Sequence, residues 1–489
     1  MIGVIKVKLF INFYGSELNG LQVTIAQVIT FLNICELAFS LAFRQLLYKP
    51  LANDDKDEIL NIYHGAVKIF RRAGMIVIGA SLLVACVYPF FAVSPLNYYQ
   101  TVGVFLLLAL PYGISYFLMG PNLVIIADQK EYKINLLIQS MSILRMVFMV
   151  LAIQLKMDFF WILIIEGCNI LISNTGARFI ALKAYPWLKN KPSNLSDTSF
   201  AHHAKYAIIQ RLSELAITQT DNIVISGIMG YAMTSVYSTF SYLTDNISKI
   251  TQSMVTSPMN SFGNLFNDKN GNVYSVFTEF FNFASFVATI VSVVIFVVMP
   301  QFVHIWMNRP EYTVTVMMAL AFAFNIFYMT IRQSIIIPRD ANGLYVDAKN
   351  NAYLLAVTKI VLSIILVSKL GLLGVILATT IAYWTIDFFY NPVLVYRKVF
   401  NLPVWRYYAM VLSRLAVGIV IGLVSYVSWN NCLGYVNGGV SHLVISILLL
   451  GVAVVIVTTI IYSISYKSFR MLVSRFVNIL RRKRENRKA

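Results

Sequence analysis

Charge is scarce in this sequence. Only 12% of the 489 residues are Asp, Glu, Lys or Arg, about half the roughly 25% carried by soluble globular chains. Mean hydropathy is +0.71, which excludes a soluble domain as the main structure. Long polar loops are also lacking. The longest runs over about 183–205, too short for a folded domain. No phosphate-binding P-loop follows a strand, so direct use of ATP is excluded. The four cysteines (Cys35, Cys86, Cys168, Cys432) and five histidines show no metal or redox spacing. The cysteines read as packing residues. His202 and His203 are adjacent in a polar loop and cannot share one helical face. With no catalytic Ser/His/Asp setting either, the chain reads as a non-enzyme that needs neither cofactor nor metal. The ten-residue alternation of a membrane β-barrel is missing. Met1–Phe13 contains Lys6 and Lys8 and no small-residue cleavage site, so it is not a cleavable signal peptide.

Long apolar runs are what the chain has in abundance. Segments of about 20 residues, enough to cross roughly 30 Å of hydrocarbon, recur from end to end. Thirteen spans are expected, at 22–47, 73–93, 99–126, 134–155, 159–182, 206–229, 231–258, 277–303, 312–337, 351–369, 371–396, 407–429 and 440–465. The fold class is therefore an all-α polytopic membrane protein. A net charge of +18 would suggest nucleic acid in a soluble protein, but here the positive-inside rule accounts for it. One set of alternate loops holds 26 Lys and Arg, including Lys68, Arg71, Arg72, Lys189, Lys398 and the C-terminal tail. The opposite set holds three: Lys156, Arg309 and Lys369. The 48–72, 183–205 and 338–350 loops and the C-terminus are thus expected on the cytoplasmic side. In the tail, Phe469, Leu472, Val473, Phe476 and Leu480 form one helical stripe among basic residues. Such a segment is expected to lie on anionic lipids of the inner leaflet.

A duplication organises the chain. "VYPFFAVSPLNYYQT" (87–101) returns as "VMPQFVHIWMNRPEYT" (298–313), with Pro89 and Pro300 211 residues apart. "IIADQKEYK" (125–133) is echoed by "IIPRDANGLYVDAK" (336–349), with Asp128 and Asp340 212 apart. "YGSELNGLQVTIAQ" from Tyr14 corresponds more loosely to "MGYAMTSVYSTFSY" from Met229. The offset contains six helices, an even number, so the repeats are parallel, as in transporters handling substrate between two halves. The expected organisation is 1–182 as the first lobe, 183–205 as a cytoplasmic linker and 206–398 as the second lobe. Two extra C-terminal helices then occupy 399–465, and 466–489 form the basic tail. The second half opens with a helix before Gly230, whereas only fourteen residues precede Gly15. The first helix is therefore expected to be largely missing, with a start upstream of Met1 or a truncated, inactive product as the two explanations.

Ionisable residues inside spans are costly and by default face the protein interior or a watery cavity. Arg145 is ten residues beyond Asn135, so about 15 Å into the membrane at about 1.5 Å per residue. Lys359 holds the matching place in the second repeat. Neither has an acid three or four residues away. With Arg332, Lys249 and Arg211 they suggest a cationic cavity suited to an anion. Snorkelling is the alternative for Arg332 and for Arg44. A local ion pair with Asp245 is the alternative for Lys249, and one with Glu214 is the alternative for Arg211. Asp221 and Glu214, seven apart on one helix face, are candidates for carrying a coupling H⁺ or Na⁺. Glu36 and Glu166 are weaker ones, and Asp387 reads as structural. Most of the 28 Tyr and 6 Trp are assigned to lipid-facing or belt positions.

Several stretches resemble the polysaccharide-biosynthesis flippases of the multidrug/oligosaccharidyl-lipid/polysaccharide exporter superfamily. The most specific is "FYGSELNGLQVTIAQVITFLNICELAFSLAFRQLLYKPLANDD" (13–55). "TQTDNIVISGIMG" (218–230), with Asp221 at the family's common acidic position, "PMNSFGNLF" (258–266) and "IIPRDANGLYVDAKNNAYLLAVTKIVLSIILV" (336–367) continue it. The chain departs from the family in its first helix and at Lys359, where relatives often carry a neutral residue. The resemblance implies a MATE-like fold of two six-helix repeats plus two helices in a bacterial cytoplasmic membrane. It implies a flippase for undecaprenyl-pyrophosphate-linked oligosaccharide repeat units in O-antigen or capsule assembly, working beside a polysaccharide polymerase and glycosyltransferases. An ion-coupled multidrug antiporter of the same superfamily is the competing reading. That function favours an acidic, aromatic cavity for cationic drugs, whereas the unpaired in-membrane charges expected here are mainly basic.

Overall fold

In the computed structural model of the chain, residues 2–91, 94–190, 215–257, 273–344, 347–433 and 439–475 are described. Among these, nearly every residue is helical and none is in a strand. Helices α1 (Ile2–Tyr14), α2 (Ser16–Leu32), α3 (Ile34–Ala52), α4 (Lys56–Phe91), α5 (Tyr98–Ser115), α6 (Gly120–Ala127), α7 (Tyr132–Gln154) and α8 (Phe159–Ala184) form the first half. Then come α9 (Asp221–Met229), α10 (Tyr231–Thr256), α11 (Val273–Met307), α12 (Val316–Ala341), α13 (Lys349–Leu370), α14 (Leu372–Phe400), α15 (Trp405–Ser428) and α16 (Gly439–Ser465). By packing, the chain divides into Met1–Ser238 and Thr239–Ala489. Arg211, Glu214, His202, His203 and the 258–266 motif lie outside the described residues.

Nine of the described helices are long and apolar enough to cross a bilayer, or ten if the α5–α6 pair, bent by 61°, is one span. The chain is a multi-pass membrane protein. Of the thirteen expected spans, the one at 206–229 lies partly outside the described residues, and two others differ for identifiable reasons. The span at 22–47 is two helices meeting at Asn33, where Gln22, Gln27 and Glu36 dilute the apolar run. Helix α10 is long but rich in Ser and Thr. Helix α4, with 36 residues, is about 54 Å long at about 1.5 Å per residue, so its basic first turns extend past the apolar stretch that begins after Arg72.

The duplication is written in the backbone. Gly15 (φ 89°, ψ 166°) and Gly230 (φ 84°, ψ 175°) break the chain in the same way, 215 residues apart. That conformation is essentially restricted to glycine. Gln129 (φ 58°) pairs with Gly343 (φ 70°), and Lys156 (φ 54°) with Gly371 (φ 59°), at offsets of 214 and 215. Pro89 and Pro300 both lie near the ends of matched long helices, α4 and α11. Side-chain caps start the helices on the side poor in Lys and Arg. Asn97 and Gln100 form a capping box on α5, Asp158 accepts from Phe160 N on α8, and Thr315 accepts from Met318 N on α12. At the opposite turn, Asp128 accepts from Lys130 (2.6 Å) and from the Tyr185 hydroxyl. Partial burial raises the Asp128 carboxyl, but the hydrogen bonds from Lys130 and Tyr185 outweigh it and hold it below the usual range. Burial and the neighbouring carboxylate push the Tyr185 phenol up to about 12.

In the first unit, one core cluster gathers Phe43, Phe70, Tyr116 and Leu123, and a second gathers Phe10, Leu21, Phe105, Met149 and Tyr231. Helix α1, on the residues before Gly15, contributes Phe10 to the second. In the second unit, Phe469 and Leu472 are buried with Phe280 and Tyr462, and Arg475 pairs with Glu279 at 3.1 Å. The start of the tail stripe is therefore packed on protein rather than laid on lipid. Burying two such side chains contributes about 1.5–3 kcal/mol each. Cys86 and Cys168 are free and exposed, not core-packed as the sequence suggests.

Helix α2 crosses the first turns of α10 at van der Waals limit. A Cβ on Gly20 would lie 1.8 Å from the Tyr231 carbonyl oxygen. Asn19 Nδ2 donates to Ser235 Oγ at 2.8 Å, and the Tyr88 and Tyr231 hydroxyls share a 2.7 Å hydrogen bond. Gly20→Leu is expected to destabilise by at least the roughly 1–3 kcal/mol of an overpacked core. Thermal unfolding of the purified protein measures it, and an unchanged melting temperature would show that this crossing is not tight.

Candidate functional site: charges at membrane depth

Arg145 on α7 donates from Nη1 to Glu166 Oε1 on α8 at 3.2 Å, and Gln22 Nε2 on α2 donates to Glu166 Oε2 at 2.7 Å. The pair is a consequence of hairpin geometry. Arg145 stands nine residues before the end of α7 and Glu166 seven after the start of α8, so antiparallel packing brings them to nearly the same height. The sequence does carry that signal, although a search three or four residues along one helix cannot see it. The pairing is incomplete. Arg145 and Glu166 side chains are 26% and 19% exposed, and Arg145 Nε is buried without a hydrogen-bond partner among the described residues. Among the described residues Glu166 engages one of the guanidinium's five N–H donors, through Nη1, while Nε is both buried and unpartnered.

Arg332 on α12 is placed very differently. Asp387 takes it bidentately, from Nε at 2.7 Å and from Nη2 at 3.0 Å. Asp387 also accepts from Tyr328 Oη (2.8 Å), Asn351 Nδ2 (2.8 Å) and Asn391 Nδ2 (2.7 Å). Five donors saturate the roughly four lone-pair directions of a carboxylate. The Tyr383 ring lies 5.7 Å from the Arg332 guanidinium carbon. Asp387 ends a π-helical turn, Tyr383–Asp387, a local underwinding with i→i+5 bonding that is frequent at functional sites. The cluster ties α12, α13 and α14 together, and Arg332 is spoken for within it.

Lys359 keeps the register expected of it. It precedes the left-handed Gly371 by twelve residues, as Arg145 precedes the left-handed Lys156 by eleven. Its surroundings differ, since it is only 2% exposed. Asp221, at the start of α9, is buried and accepts from Tyr237 Oη at 2.8 Å. Lys249 lies on an exposed polar stripe of α10 with Tyr242, Asp245, Asn246 and Ser253. The buried threonines of α10 turn their hydroxyls to the carbonyl one turn back, Thr251 to Ile247 at 2.7 Å, which satisfies them locally. On the exposed stripe Asn246 Nδ2 likewise donates to the Tyr242 carbonyl one turn back, at 2.6 Å, and Ile250 and Met254 are exposed beside it.

Two arginines are not singled out by sequence. Arg414 on α15 has no carboxylate partner among the described residues; Asn282 Oδ1 takes Nη2 at 2.8 Å and the Tyr466 ring lies 3.7 Å from its guanidinium carbon. Arg178 on α8 donates to the Phe117 carbonyl at 2.8 Å. Tyr328, Tyr396, Tyr407 and Tyr462 are fully buried, so much of the tyrosine belongs to the interior rather than to the lipid belt. No group of three or more metal-ligating side chains occurs among the described residues.

A structure of the lipid II flippase MurJ, in an inward closed conformation, superposes with a TM-score of 0.71 over 94% of this chain and 96% of that one, at 16% identity. An inward-facing multidrug resistance MATE transporter of the MOP superfamily gives 0.56 over 79% of this chain and 92% of that one, at 14% identity. The chain has the fold of MurJ and of MATE transporters. Comparison with family models and with curated proteins finds no match. The MurJ-like fold agrees with the MATE-like architecture expected from the resemblance and the repeat.

Asp387→Leu strands the Arg332 charge and is expected to cost about 3–5 kcal/mol, whereas Arg332→Met combined with Asp387→Leu recovers most of it. Thermal unfolding in detergent reads both. A double variant no more stable than the single one would show that neutralising Arg332 is not what Asp387 does.

Proposed function

We propose that the protein is a flippase that carries undecaprenyl-pyrophosphate-linked oligosaccharide repeat units from the inner to the outer leaflet of a bacterial cytoplasmic membrane, with its C-terminus in the cytoplasm. The observation that carries this reading is Arg145, a membrane-depth cation with open donors and partial exposure. A pyrophosphate is a dianion or more, and bidentate contacts from an arginine suit its oxygens. The exposed polar stripe with Lys249 supports a route for a hydrophilic headgroup through an otherwise apolar protein. The fold shared with the lipid II flippase MurJ supports a lipid-linked cargo. Arrival of the anion at Arg145 loosens its ion pair and leaves Glu166 to be held by Gln22 or to take up a proton. Asp221 and Glu214 are the candidate coupling carboxylates and Lys359 and Arg211 further candidate cations, whereas Arg332 is neutralised by Asp387. The reading involves no chemical transformation of the cargo.

The test is mass spectrometry of lipid extracts from a strain lacking this gene, with other flippases excluded as backups. Lipid-linked repeat units are expected to accumulate, to clear on return of the wild-type gene, and to persist at least tenfold above wild type with Arg145→Ala. Accumulation of lipid II instead would make the cargo a peptidoglycan precursor. No accumulation of either would overturn the flippase reading and favour drug antiport. Full clearance by Arg145→Ala would leave the flippase standing and remove the arginine from its mechanism.

A further inference from the structure

A second basic feature lies in the first unit, away from the membrane-depth charges. A cavity of about 630 Å³ opens between the first turns of α4, the end of α8 and the short 3₁₀ turn Pro186–Lys189. Pockets of this size suit small ligands and headgroups. Among the described residues its lining includes Lys68, Arg71, Arg72, Arg178, Lys189 and His64, and no Asp or Glu. His64, Lys68, Arg71 and Arg72 follow one another at i, i+4, i+7 and i+8, so α4 presents them as a single face. Like charges at such spacing cost about 0.2–0.5 kcal/mol per pair on a helix, a cost that an anion would offset.

The walls are fixed. Arg178 is anchored through Nη1 to the Phe117 carbonyl. His64 Nε2 donates to the Asn190 carbonyl at 2.8 Å, and the Tyr63 and His64 rings meet edge to face at 5.1 Å. Buried Tyr63 and Leu188 form an apolar floor. Height decides the class of ligand. The uninterrupted apolar stretch of α4, 73–91, begins directly after Arg72, so the cavity lies at the level of a bilayer's phosphates. Basic pockets at that level between membrane helices take phosphorylated headgroups.

We propose that this cavity binds a phosphate-bearing anion at the membrane surface, supplied by an anionic phospholipid headgroup or by free phosphate. The proposal does not depend on the transport reading. The test uses the delipidated full chain in detergent. Native mass spectrometry measures retention of phosphatidylglycerol against phosphatidylcholine, and thermal unfolding measures protection by millimolar inorganic phosphate. Wild type is expected to retain phosphatidylglycerol at least tenfold over phosphatidylcholine. Lys68→Gln with Arg71→Gln and Arg72→Gln should lose that preference without a change in its lipid-free melting temperature. Should the triple variant fail to fold, Lys68→Gln with Lys189→Gln, both at exposed positions, should still lower retention severalfold. Phosphatidylglycerol preference without phosphate protection assigns the site to lipid; protection by phosphate that the variants abolish assigns it to a free anion. Retention and protection that are the same in wild type and variants, or absent from both, would overturn the proposal.

Discussion

Hydrocarbon offers no hydrogen bonds, so every charge this chain carries to membrane depth must find its partner within the protein. The described helices are held together around that constraint. Asp387 collects donors from α12, α13 and α14. Glu166 joins α7 to α2 through Arg145 and Gln22. Arg414 lacks an acid among the described residues and is sheltered by an amide oxygen and a tyrosine face instead. Each solution links helices that the apolar effect alone could not orient, because lipid tails are as apolar as the helix faces.

The solutions differ in how completely they use their charges, and the difference separates framework from function. Asp387 and Arg332 are saturated with one another and with neutral donors, which makes them a fixed joint. Arg145 makes a single contact at 3.2 Å and keeps donors in reserve. Under the flippase proposal, a cation of the second kind is the one able to exchange an internal partner for an anionic cargo.

Much of this was legible beforehand. The apolar runs and the register of Pro89 with Pro300 and Asp128 with Asp340 disclosed an all-α fold of parallel repeats. The deeper repeat of left-handed positions stayed hidden, because Gln129 and Lys156 occupy in the first half what Gly343 and Gly371 occupy in the second. Lys359 was placed in register with Arg145, but its burial depends on packing that no local pattern encodes. The partner of Arg332 was out of reach as well, since 55 residues and an intervening helix separate it from Asp387. The break of α2 from α3 at Asn33 was missed because neither Gly nor Pro marks it. The docking of Phe469 and Leu472 escaped notice because an apolar stripe suits a protein groove as well as a lipid surface.

The sequence distance between partners also bears on how the chain enters the membrane as it is made. Arg145 and Glu166 belong to consecutive helices, so α7 and α8 can leave the insertion machinery as a hairpin whose charges already cancel. Inserted alone, an arginine near a helix centre costs about 2.5–3.5 kcal/mol. Arg332 has no such early relief. Its helix, α12, must wait at the protein-conducting channel, or slip back from it, until α13 and the Asp387 segment of α14 have been synthesised. Assembly of the second half is therefore a three-helix event, in which one aspartate closes the joint.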